Sequence, residues 1–176
     1  MTDKKTALVR HFSTLYNREG RLQGRRDIPI TVPDRRERAA MARNRDFLAL
    51  IGPFDCVLAS SLVRTQMTAA CYGLAYRVEP LLDELDFGPY EGQPRADFFR
   101  AVGSAWFDAP QRLTLGEPLT QLQARIEGFI ARYGVNTRVL AFGHGAWIRA
   151  FVSLRRFGTI AHMNRLRIGN NEVVVV

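Results

Sequence analysis

Thr6-Ala7-Leu8-Val9-Arg10-His11-Phe12-Ser13-Thr14-Leu15-Tyr16-Asn17 is the stretch from which the rest of this chain can be read. Thr6 to Val9 is a mainly apolar run of strand length, and after Arg10 and His11 it breaks into a polar loop. The pair sets a cation beside a nucleophile at a strand's exit, where α/β proteins build their sites. Arg10 can fork onto a phosphate, and a neutral imidazole at His11 can attack one. Thr14 and Asn17 add neutral hydrogen-bonding groups in the following turns. A plain strand ending in a satisfied histidine would read the same way, so the remaining sequence has to choose.

The whole chain sets bounds. Its 176 residues suit one domain with a substantial core, and 47% hydrophobic against 24% charged residues is a soluble, globular balance. No apolar run is long enough for a bilayer, and the stretch behind Lys4 and Lys5 stops at Val9, too short for a signal peptide. Cys56 and Cys71 lie in apolar contexts without metal-ligand spacing, which reads as two reduced, buried thiols in a cytoplasmic protein. The net charge of +8 is carried almost wholly by arginine. These arginines are spread along the chain, with small clusters at Arg21, Arg25 and Arg26 and at Arg35, Arg36 and Arg38. The pattern supports an anionic ligand and gives no evidence for nucleic acid.

Taken in order, the first strand gives way to a long loop from Phe12 to Pro33. Asp34 caps a helix running to about Ile51, which Gly52-Pro53 ends. Cys56 to Ala59 is a buried strand that exits at Ser60-Ser61, and a helix from Val63 to Leu74 carries Arg64 in its first turn. Tyr76 to Leu82 is a short extended piece, and Pro80 argues for an edge. From residue 83 to 118 the pattern is irregular and aromatic, with a short helix expected over Asp97 to Trp106. This segment reads as a satellite core, as a lid-like insertion over a pocket, or as both. Thr120 to Tyr133 is an amphipathic helix closed by Gly134, and Arg138 to Phe142 is another buried strand. Gly143-His144-Gly145 is a tight exit into a helix from Ala146 to about Phe157. The run Val173 to Val176 is either an exposed edge that pairs with a second copy in a homodimer or an interior strand. Strands alternating with helices give an α/β fold with a largely parallel sheet.

Three of these strands exit into polar signals: Arg10-His11, Ser60-Ser61 with Arg64, and Gly143-His144-Gly145. As parallel neighbours they would converge on one crevice, with two arginines and two histidines fit for a dianion. Gly145 would let the backbone approach the ligand, and the helix that follows would point its positive end inward. Glu84 is placed to supply a proton.

At this point the chain resembles the histidine phosphatase superfamily, the phosphoglycerate-mutase-like fold. Arg10-His11, Thr14 and Asn17 match that family's Arg-His-Gly-x-Thr-x-x-Asn, with Phe12 where the glycine stands. Gln23-Gly24 and Asp27-Ile28-Pro29-Ile30-Thr31 resemble its next two runs. Ser60, Arg64, Thr68 and Ala69 match its Ser-x-x-x-Arg-x-x-x-Thr-Ala. Glu84-Leu85-Asp86-Phe87-Gly88-Pro89-Tyr90-Glu91-Gly92 matches its acid segment, and Gly143-His144-Gly145 with Ile148-Arg149 its second histidine motif. The ordered set spans almost the whole chain.

The resemblance implies one domain over residues 1–176, a three-layer α/β/α sandwich with a mostly parallel sheet. It implies a metal-independent phosphatase, without a cofactor, acting on a small phosphorylated metabolite. His11 would attack phosphorus, Arg10, Asn17, Arg64 and Gly145 would bind the phosphate, and His144 would share in charge stabilisation. Glu84 would protonate the leaving oxygen and then activate water, with Glu91 as a second candidate acid. The resemblance admits three other readings: a phosphoglycerate mutase, a phosphatase of phosphohistidine on proteins, and a weakly active phosphate-binding module. The last rests on Phe12, whose ring would narrow the site. His162 matches no motif and reads as a surface or loop histidine.

Overall fold

The computed structural model describes residues 6–134 and 137–176, so Lys4 and Lys5 lie outside the described residues. Five strands form one sheet: β1 (Thr6–Arg10), β2 (Cys56–Ala59), β3 (Arg77–Val78), β4 (Val139–Gly143) and β5 (Val173–Val175). Their order is β3-β2-β4-β1-β5, parallel except for β5, which runs antiparallel to β1. The final valine run is therefore an edge strand and not an interior one.

Alternation along each strand builds a layer on either face. Leu8, Leu58, Val139 and Ala141 face a core shared with the helices α6 (Leu119–Tyr133) and α7 (Gly145–Phe157). Ala7, Val9, Leu140 and Phe142 face a second core closed by α2 (Arg35–Ile51) and α3 (Val63–Cys71). The fold is the expected α/β sandwich around a mostly parallel sheet. Trp147, Ile148 and Phe151 of α7 are buried in the larger core, which anchors the helix whose start borders the site.

Sequence-predicted boundaries shift where local chemistry intervenes. The long loop contains a short helix, α1 (Leu15–Arg18), held by a reciprocal cap between Thr14 and Asn17. The aromatic segment folds as two helices, α4 (Arg95–Val102) and α5 (Ala105–Asp108), instead of one. Gly103, at φ +64°, breaks them apart. Its aromatics are not a satellite: Phe87, Phe98 and Trp106 join the same core as α6 and α7.

The cysteines also differ from expectation. Cys71, the last residue of α3, is exposed, and Cys56 is only half-buried. β3 pairs with Leu58 and Ala59 alone, so among the described residues no strand covers Cys56 on that side. His162 is half-buried in the turn Ile160–Arg165, its ring 4.8 Å from that of Phe157.

Candidate active site

The register pairs Arg10 with Gly143 and Ala59 with Phe142, so β1, β2 and β4 end together on one side of the sheet. A cavity of about 140 Å³ opens at that end, bordered by Arg10, His11, Asn17, Arg64, Glu84 and Gly145. These six residues come from four distant parts of the chain.

His11 is buried, and its Nδ1 lies 2.6 Å from the Phe12 carbonyl. A carbonyl only accepts, so Nδ1 carries the proton and Nε2 keeps its lone pair. Burial holds the imidazole well below the ordinary histidine range, and the Arg64 and Arg10 guanidiniums lower it further. His11 is therefore a neutral base beside two cations.

Arg64 is 1% exposed and fixed along its whole guanidinium. Nη1 donates to the Arg26 carbonyl at 2.8 Å, Nη2 to the Gly24 carbonyl at 2.6 Å, and Nε to His144 Nδ1 at 3.1 Å. Desolvation brings Arg64 down to about 10, and Arg10 reaches about 10 through desolvation and then repulsion from Arg149. Arg10 Nη1 donates to the Ile168 carbonyl at 2.6 Å. The Asn17 Oδ1 accepts from the Thr14 N–H at 3.2 Å and from Asn170 Nδ2 at 3.2 Å, which turns its own amide nitrogen to the remaining side.

His144 stands one layer back from where the sequence reading put it. It does not border the cavity but lies behind Arg64. Since Arg64 donates to Nδ1, the proton is on Nε2, which donates to Ser60 Oγ at 2.7 Å. The relay continues from Ser60 to Thr65 Oγ1 at 2.9 Å and on to the Leu62 carbonyl. Burial and then Arg64 keep His144 well below the ordinary histidine range. Both ring nitrogens serve to orient the arginine.

The helix end differs too. The first free amides of α7 were expected to face the ligand, yet Ala146 N–H donates to Glu84 Oε2 at 3.0 Å and Trp147 N–H to Oε1 at 2.9 Å. Glu84 thus caps the helix from a remote segment, which fixes its carboxylate at the cavity wall. Glu91 does not border the cavity: its Oε1 accepts from the Arg25 and Phe87 N–H groups and ties two loops together. Phe12 does not narrow the site. Its side chain is fully buried in the core closed by α2 and α3, 6.3 Å from the Tyr72 ring, and does not border the cavity.

Three bordering arginines, Arg21, Arg95 and Arg149, received no role from the sequence. Arg149 is matched as part of the second histidine motif but given no role, although it lies four residues after Gly145 on one helix face. Arg95 opens α4 in an irregular segment, and nothing local distinguishes it from a surface arginine.

Comparison with known proteins identifies a family and a fold. The sequence model described as the histidine phosphatase superfamily (branch 1) matches residues 6–176. A protein of Yersinia pestis (strain Pestoides F) named probable phosphoglycerate mutase GpmB is 30% identical, the match covering 93% of this chain and 80% of the relative. Among solved structures, mycobacterial glucosyl-3-phosphoglycerate phosphatase superposes with a TM-score of 0.80 at 22% identity, covering 98% of this chain and 92% of that one. A putative alpha-ribazole-5'-P phosphatase from Escherichia coli gives 0.79 at 24%, covering 99% and 90%.

Proposed function

The chain belongs to the histidine phosphatase superfamily, and on that premise we propose that it hydrolyses a small phosphomonoester through a phosphohistidine at His11. The tautomer of His11 carries this reading: Nδ1–H is spent on the Phe12 carbonyl, and the ring is neutral. Nε2 attacks phosphorus in line, and the bond to the ester oxygen breaks. Arg10, Arg64 and Asn17 hold the phosphoryl oxygens, with His144 positioning Arg64. Guanidinium groups supply the positive charge, so the reaction needs no metal. Protonated Glu84 passes its proton to the leaving oxygen. As carboxylate it then takes a proton from the water that attacks the phosphohistidine, which releases phosphate and restores His11.

Transfer to a second hydroxyl is the competing reading, because relatives carry the name probable phosphoglycerate mutase. Exposed side chains at the cavity mouth, Arg95 and the 42%-exposed Phe99, favour access by water and hence hydrolysis. Segment 83–118 forms the roof under this reading, and the free thiols of Cys56 and Cys71 suit a cytoplasmic setting.

The test is hydrolysis of p-nitrophenyl phosphate in excess EDTA, wild type against His11→Ala. Turnover that survives chelation and falls at least 1,000-fold in the variant is expected, about 4 kcal/mol of barrier. Unchanged turnover in His11→Ala rejects the nucleophile. Incubation with 3-phosphoglycerate separates the readings, inorganic phosphate marking hydrolysis and a positional isomer marking transfer.

A further inference from the structure

The turn that leads into β5 grips the exit of β1 from several sides. Arg10 donates its backbone N–H to the Glu172 carbonyl at 3.1 Å, and its own carbonyl accepts from the Asn171 N–H at 2.9 Å. Its Nη1 reaches the Ile168 carbonyl in the same turn. Asn171 holds the left-handed conformation, φ +58°, which asparagine tolerates better than most residues. Asn170 reaches furthest. Its half-buried side chain donates from Nδ2 to the His11 carbonyl at 2.9 Å and to Asn17 Oδ1 at 3.2 Å, yet it does not border the cavity itself.

These partners fix two amides in turn. A backbone carbonyl only accepts, so Asn170 must turn its NH2 and not its oxygen to His11. The second N–H of that NH2 goes to Asn17, which must answer with its oxygen. The Thr14 N–H, also on Asn17 Oδ1 at 3.2 Å, agrees with this sense. The Thr14 hydroxyl has one proton, and Gln23 Oε1 at 2.8 Å is a nearer acceptor than Asn17 at 3.3 Å. The Asn17 oxygen is thus held inward by two donors, and its NH2 is left for the cavity that Asn17 borders. An amide turned the other way would set a carbonyl oxygen against a phosphoryl oxygen, two acceptors with no proton between them.

We infer that Asn170 is a positioning residue for phosphate recognition: it holds Asn17 with its amide nitrogen toward the phosphoryl group and ties that amide to the backbone of His11. One NH2 group then sets the spacing between the nucleophile's main chain and a neutral phosphate donor, from a turn 153 residues away from Asn17 in the chain. Asn170 touches no substrate and acts through Asn17. The assignment rests on the phosphatase reading only in taking the Arg10–His11 end as the phosphate end.

Binding of orthovanadate, a phosphate-shaped oxyanion, tests it by titration calorimetry on the full chain. Asn170→Leu keeps the side chain's bulk but has neither an N–H nor a charge. It is expected to weaken vanadate binding about tenfold, and Asn17→Ala by a similar factor, as loss of a hydrogen bond to a charged group does. The double variant is expected to bind no more than about threefold worse than Asn17→Ala alone, because both changes remove one interaction. Two independent losses would multiply to about 100-fold, and that result overturns the assignment. Wild-type affinity in Asn170→Leu, the outcome for a side chain that only fills space, overturns it as well, and so does a wild type that binds no vanadate. Asn170→Ala carries the same cycle should leucine disturb folding. Hydrolysis of p-nitrophenyl phosphate is read in the same preparations. Turnover with vanadate binding indifferent to Asn170 defeats this inference alone; coupled binding without turnover defeats the phosphatase reading alone.

Discussion

Glu84 is held at the arginine-lined cavity by backbone N–H donors. Its own neighbour Leu85 donates an N–H to Oε1 at 2.9 Å, and the first turn of α7 supplies two more. Oε1 takes two of these donors and Oε2 one, so Oε2 retains capacity for a proton shared with a leaving oxygen or water. Replacement by glutamine preserves the shape but removes the transferable proton. Glu84→Gln is expected to lower kcat/KM at least 100-fold for an alkyl phosphate and tenfold or less for p-nitrophenyl phosphate, whose leaving group needs little protonation. A leaving-group series measures this, and a uniform loss across it removes the general-acid role.

Among elements, α6 ties down the backbone of the acid segment whose carboxylate α7 receives. Arg125, on its buried side, donates to the Asp83 carbonyl at 2.7 Å and to Glu117 Oε1 at 2.7 Å, with a longer bond of 3.4 Å to the Glu84 carbonyl. Arg25, from the loop after α1, reaches the same Glu117 at 3.3 Å and the Glu84 carbonyl at 3.3 Å. Glu117 is 4% exposed, so loss of Arg125 leaves a buried charge with only the Asp86 N–H at 3.1 Å and the Arg25 guanidinium at 3.3 Å. Arg125→Met is expected to cost about 3 kcal/mol by denaturant titration. Its activity loss is expected to be clearly smaller in a Glu84→Gln background than in the wild type, because both act through one carboxylate. Strict additivity of the two losses removes the link between α6 and the acid.

For the whole molecule, two neutral buried histidines make folding depend on pH. His11 and His144 bind protons in the folded state only well below the usual 6.5. The unfolded chain takes them up as pH falls through that value, so stability is intact above about pH 7 and declines below 6.5. Below 6.5 the loss approaches a slope of about 1.4 kcal/mol per pH unit for each group, until its own folded-state pKa is reached. Denaturation midpoints between pH 7.5 and 5.5 measure this, above the range where carboxylates titrate. The decline is expected to shrink by about half in His144→Asn, and a flat wild-type profile contradicts neutral burial.

How much of this was legible follows from how local each determinant is. The sequence by itself determined the alternation of strands and helices, the cap at Asp34, and the ordered motifs around Arg10, Arg64, Glu84 and His144. These depend on neighbours within a few residues, through side-chain period and backbone preference. Only the tertiary structure decided that the Phe12 ring turns into the core under α2 and α3 and not into the cavity, since a strand's exit can face either side. Only packing could show that the α7 amides go to Glu84, a donor and acceptor 62 residues apart in the chain. The depth of His144 and the convergence of Arg95 and Arg149 on Arg10 have the same origin. An arginine in a polar stretch has one sequence signature whether solvated or walled in, and which it becomes is fixed by what the other elements bury against it.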